Sequence, residues 1–215
     1  METGYDPLLQ WVQKGVSAKE EIQGGRNVVE AGISLCEYIM PGLGGKRFST
    51  EHAIETAKVL NQINPQFIRL RTLHIRKRMP LFEKLLSGEF ERLSDDQVVR
   101  EIRLLISQLE GIQSTVVSDH ILNLLEEIQG KLPEDQGKMI AVIDRYLTLP
   151  DEERLLFRLG RRMGWYRRID DLEELELRRE VRRVMDEILH PPEAVEAPPS
   201  VSLEEAIYNL MDHYI

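Results

Sequence analysis

The sequence predicts an α/β chain that turns mainly α, and three observations lead there. Strand-like and helix-like segments alternate through the first half of the chain. From residue 94 onward, apolar residues recur at the three- and four-residue spacing of helices. A proline-rich stretch close to the C-terminus then sets off one last short helix.

Taken in order, residues 6–13 (DPLLQWVQ) form a short amphipathic helix, with Asp6 as its cap and Pro7 at the first helical position. A second helix covers 18–31 and stops at Gly32. The apolar run ISLCEYIM (33–40) is the first strand and ends at Pro41-Gly42. Ser49-Thr50-Glu51 leads into a helix to about residue 62, and Asn64-Pro65 closes it before the next strand at 66–73. STVVS (114–118) is a weak third strand. Ser94-Asp95-Asp96 caps the helix that carries Val98, Val99, Ile102, Leu105 and Ile106. Further helices are expected at 120–128, 134–147, 151–160 and 170–189, an extended linker at 190–200, and a final helix within 201–215.

Strand, helix, strand in this rhythm implies parallel strands joined by crossovers. Two clear strands fall short of the usual four to six, so the sheet calls for strands from elsewhere. The glycine turn Pro41-Gly42-Leu43-Gly44-Gly45 sits between the first strand and the next helix, where α/β proteins bind ligands. It is neither G-x-G-x-x-G nor a P-loop, and by itself it fits a structural turn as well as a ligand loop.

Composition narrows the function classes. The chain is 42% hydrophobic over 215 residues, enough for a real core, and no apolar run is long enough to span a membrane. One cysteine, Cys36, excludes an internal disulfide framework and points to a cytoplasmic setting. The net charge of −9 comes from residues 111–215, since residues 1–110 carry 15 acidic and 15 basic side chains. That acidic half makes nucleic acid an unlikely partner, because such binding depends on neutralising phosphates.

The ordered series Met1-Glu2-Thr3-Gly4-Tyr5-Asp6, Leu8-Leu9, Val12, Lys14-Gly15, an AGI strand and PGLGG resembles a run in radical S-adenosylmethionine (SAM) enzymes. The type is that of oxygen-independent coproporphyrinogen oxidases and methylthiotransferases. The helix and strand HAIETAKVLNQINPQFIRLRTL and Met79-Pro80-Leu81 are similar to that family's next segments. The resemblance implies that residues 1–110 are the C-terminal part of a partial (β/α) TIM-type barrel with SAM across its strand ends. Residues 111–189 would then be a helical extension. Glu2 and Thr3 would end the fourth strand near the ribose or methionyl part of SAM. Ile39, Gly42 and Gly44 would lie on the fifth strand and its turn, near adenine. Arg69, Arg71 and Thr72 would lie on the sixth, facing adenine or substrate. Gly45-Lys46 and Lys77-Arg78 depart from the family's pattern, which puts ligand contacts from both loops in doubt.

The family makes its radical on a 4Fe-4S cluster held by C-x-x-x-C-x-x-C, and this chain has one cysteine. The implied protein is therefore a fragment that is inactive alone and is completed by a missing N-terminal half or another chain. The alternative is a non-catalytic helical adaptor derived from the same scaffold. Among the remaining residues, Cys36 reads as a core residue and His52, beside Glu51 and Glu55, as part of a surface pair. Asp119-His120 reads as a helix start. RRMGWYRR (161–168) fits either a nucleic-acid contact or a helix-end turn whose aromatics plug the core, and its acidic neighbours favour the latter.

Overall fold

A computed structural model describes residues 1–189 and 203–214. The chain divides into two units, Met1–Asp144 and Arg145–Ile215. Residues 111–144 thus belong with the sheet, and the linker expected at 190–200 lies outside the described residues.

The first unit runs α1 (Asp6–Trp11), α2 (Ala18–Glu30), β1 (Cys36–Ile39), α3 (Gly45–Ile63), β2 (Phe67–Leu70), α4 (Pro80–Leu86), α5 (Asp95–Ser107), β3 (Thr115–Val117), β4 (Gly130–Lys131) and most of α6 (Gln136–Thr148). The four strands form one sheet in the order β1-β2-β3-β4. The first two pairings are parallel and the last antiparallel. The weak strand signal at 114–118 is therefore a true central strand.

Register sorts the side chains onto two faces. Glu37, Ile39, Ile68, Leu70 and Val116 share one face and are buried. The apolar ones each contribute roughly 1.5–3 kcal/mol by leaving water. The other face carries Cys36, Tyr38, Phe67, Arg69, Thr115 and Val117, none of them buried, with Tyr38 and Phe67 each 38% exposed. A parallel sheet ordinarily has both faces covered. Among the described residues of the first unit, this one buries the side chains of one face and leaves those of the other half-buried or exposed.

Local chemistry explains the helix boundaries. Ser17 with Glu20 and Ser94 with Gln97 form reciprocal capping boxes at the starts of α2 and α5. Asp6 is not the cap of α1; Tyr5 is, and the Asp6 carboxylate instead accepts the Ala18 N–H at 2.7 Å. α3 starts at Gly45, earlier than the expected Ser49, and ends on Asn64 in the left-handed conformation. The expected helix at 120–128 is absent. Those residues form turns pinned by Asn123, and α4 occupies a stretch that reads as loop in the sequence.

In the second unit, α7 (Asp151–Arg162), a 3-10 turn (Ile169–Glu173), α8 (Leu175–Leu189) and α9 (Leu203–Asn209) pack around Tyr146, Phe157 and Tyr166. Phe157 lies 5.7 Å from Tyr146 and 6.1 Å from Tyr166, centroid to centroid. Arg161 and Arg162 are buried, whereas Arg167 and Arg168 are exposed, so the basic segment of the sequence is split between core and surface. Gly164 ends the helix and Tyr166 fills the core. The final helix is docked. Arg158, buried on α7, makes a two-pronged ion pair with Glu204 of α9.

Candidate functional site

Two polar clusters meet at the carboxyl ends of β1–β3, one on the open face and one beneath it. The open cluster starts from Arg69 and Arg71, which alternate onto the uncovered face. The Arg71 guanidinium lies over the Tyr38 ring, 4.6 Å from its centroid. Arg69 donates to the Tyr38 hydroxyl at 3.3 Å and pairs with Asp119 just beyond β3. His120 is next; burial and the charge of Arg71 lower its pKa, while Asp119 raises it. Its Nδ1 is buried without a hydrogen-bond partner among the described residues.

Asn123 holds this edge together. Its side-chain oxygen accepts from the backbone N–H and the hydroxyl of Thr72 (3.0 and 2.9 Å), and its amide donates to the Leu70 carbonyl and the Ser118 hydroxyl (2.9 and 3.0 Å). One buried amide thereby fixes the chain on both sides of Arg71 and ties β2 to the end of β3.

The second cluster lies under the glycine turn. Gly42 adopts φ +89°, a conformation that suits glycine, and its N–H donates to Glu101 at 2.7 Å. The other Glu101 oxygen meets the Ser49 hydroxyl at 2.5 Å. His52 stands beside it, with Nε2 3.2 Å from the Met40 carbonyl and Nδ1 2.8 Å from the Thr3 hydroxyl. His52 is buried rather than part of a surface pair. The packing around His52 and Glu101 leaves no cavity for water. Burial pushes Glu101 up to about 7 and His52 down to about 4. At Gly45, also at positive φ, a side chain would run into the Glu91 carbonyl at 2.6 Å. The turn is thus built tightly into the fold.

The residues singled out in the sequence divide between these clusters. Arg69 and Arg71 are together on the open face. Gly42 and Gly44 form the turn, and Ile39 is buried on the helix-covered face. Thr3 is buried, its hydroxyl taken up by His52 and by the Tyr5 N–H at 3.2 Å. Glu2 pairs with Lys14 at 2.5 Å and its carbonyl accepts the Met40 N–H at 3.0 Å, so Glu2 meets the chain just past β1, while Thr3 and Gly4 are held by His52 and Thr56 of α3. Tyr38, Asp119, His120, Glu101 and Asn123 join the site only through the fold. Tyr38 alternates with the buried Glu37 and Ile39, a signal that was there to be read.

Cys36 is on the open face, half-buried, and burial raises its pKa, which favours the thiol. Among the described residues no group of three or more His, Cys, Asp or Glu side chains is placed to hold a metal ion. The thiolates that a four-iron cluster requires are not supplied by this chain, which has one cysteine. Among the described residues no helix is long and apolar enough to cross a membrane.

No family model matches the chain, and no solved structure matches it. Two uncharacterized proteins are similar to part of it. YtqA of Bacillus subtilis is 29% identical over 100 residues, and MJ0486 of Methanocaldococcus jannaschii is 23% identical over 99 residues. Each match takes in 46% of this chain and 30% of the relative, so the chain covers less than a third of the length of these curated relatives.

Proposed function

We propose that this chain supplies the C-terminal strands of a radical SAM-type barrel. It would form one wall of the SAM and substrate pocket and have no turnover by itself. The observation that carries the reading is the open face of a mixed sheet whose three parallel strands, β1–β3, pair in sequence order, with a polar cluster at their carboxyl edge. Barrels are wound in that order, their inner faces close on one another, and their sites lie at the carboxyl ends of the strands. Support also comes from Glu2, whose carbonyl accepts the Met40 N–H just past β1, where the resemblance puts the end of the preceding strand. The two relatives are each more than three times as long as the stretch they share with this chain.

The Arg71 guanidinium and the His120 Nδ1, neither with a hydrogen-bonding or ionic partner among the described residues, are compatible with SAM or a substrate at this edge. SAM, reductively cleaved, supplies the radical in that family, and the cluster that cleaves it would come from outside this chain. The residues here would bind and orient: Arg69 and Arg71 by charge, with Gly42 and Gly44 shaping the turn at the strand end.

Calorimetric titration of SAM into the folded chain tests the reading. A half-built pocket offers part of the usual contact surface, so saturable binding with a Kd of about 0.1–1 mM is expected. Gly42→Val, which forces a branched side chain into a positive-φ position, is expected to weaken it. Absence of binding at several-fold higher SAM, with the protein folded, overturns the proposal. The missing thiolate set favours one other reading, a helical adaptor on the same scaffold, whose partner binding would survive Gly42→Val and Arg71→Ala unchanged.

A further inference from the structure

The charges on the open face do not cancel evenly, and the remainder has a definite valence. Arg69 is neutralised by Asp119. Arg71 stacks on Tyr38, and no carboxylate pairs with it among the described residues. Burial and Arg71 lower the His120 pKa against the pull of Asp119, and its Nδ1 is buried without a hydrogen-bond partner among the described residues. Asn123 immobilises the backbone on both sides of Arg71, so the guanidinium starts from a fixed strand end. One uncompensated positive charge, a planar fork of donors and a neutral imidazole then share one edge.

We propose that Arg71, with His120 and Tyr38 beside it, is a binding site for the carboxylate of a small molecule. A single planar monoanion matches a single guanidinium, which can donate to both its oxygens. A phosphate dianion would bring a second negative charge beside Asp119, which would repel it more strongly than a monoanion. The inference deepens the proposed function by naming the ligand chemistry of the same edge. The carboxylate belongs either to the methionyl group of SAM or to a separate substrate.

The test follows the His120 imidazole by NMR in the full chain across pH. A bound carboxylate beside the ring is expected to raise its midpoint by about one unit. Sodium propionate should do so in the wild type, and inorganic phosphate should be clearly weaker. In Arg71→Gln, a surface change that leaves the Asn123 clamp intact, the propionate effect should vanish. Competition between SAM and propionate would assign the site to SAM, and joint binding would assign it to a second substrate. Both results uphold the carboxylate site. A His120 midpoint unmoved by propionate, or moved equally in Arg71→Gln, overturns it. Because propionate is read without SAM, failure of SAM to bind would count against the barrel reading and leave this result intact.

Discussion

Glu101 and His52 are neighbours in one dry pocket and carry opposite linkages. Glu101 is raised from 4.5 to about 7, so between those pH values the folded state holds a proton that the unfolded state has lost. Its contribution is full below pH 4.5 and is lost as pH rises through 7. His52 is lowered from 6.5 to about 4, so the unfolded state there holds the extra proton, and stability rises with pH across that window. From about pH 4.5 to 6.5 the two slopes offset one another, and this pair leaves wild-type stability nearly flat. Glu101→Gln preserves the shape of the neutral acid: its oxygen still accepts from Gly42 and its amide can donate to Ser49. Relative to the wild type, urea denaturation of that variant is expected to show stability rising by roughly 1 kcal/mol per pH unit across this window. His52→Gln should show the reverse slope. A variant whose pH profile parallels that of the wild type would mean that the substituted group does not titrate in this way.

At the scale of elements, the turn-rich segment between β3 and β4 is held by Asn123 where helical periodicity predicts a helix. Asn123→Ala would strip the Thr72 N–H and the Leu70 carbonyl of buried partners. It is expected to cost about 2–4 kcal/mol in denaturant unfolding and to loosen the strand end that carries Arg71. Asn123→Asp retains the acceptor but loses the two donated bonds and buries a charge, so it should not rescue. The docked α9 depends on a similar contact. Glu204→Gln weakens its grip on the buried Arg158, and faster amide exchange confined to residues 203–214 is the expected sign. The sequence made β1, β2, α5 and α7 legible because their apolar spacing and caps are local properties. It hid the Asn123 loop, the burial of His52 and the pairing of Arg69 with Asp119, because each depends on a partner more than forty residues away. At 161–168 the helix-end turn was legible from Gly164 and the aromatics, while the burial of Arg161 and Arg162 was not.

The two faces of the sheet in the first unit make a prediction about the molecule as a whole. Ile68 and Phe67 are adjacent in β2, yet the fold treats them oppositely: one is fully buried against the helix layer and the other is 38% exposed. If the open face is one wall of a larger barrel, its apolar side chains are reserved for contacts outside this chain and contribute little to its own stability. Phe67→Lys should therefore unfold within about 1 kcal/mol of the wild type, as exposed substitutions do. Ile68→Lys, which puts an unpaired ammonium in the core, should abolish folding. The same Phe67→Lys should reduce the fluorescence of an apolar dye, because Tyr38, Phe67 and Val117 form the patch on which such a dye would sit. A large loss of stability in Phe67→Lys would mean that the face is covered from within the chain. The barrel reading would then lose the feature on which it rests.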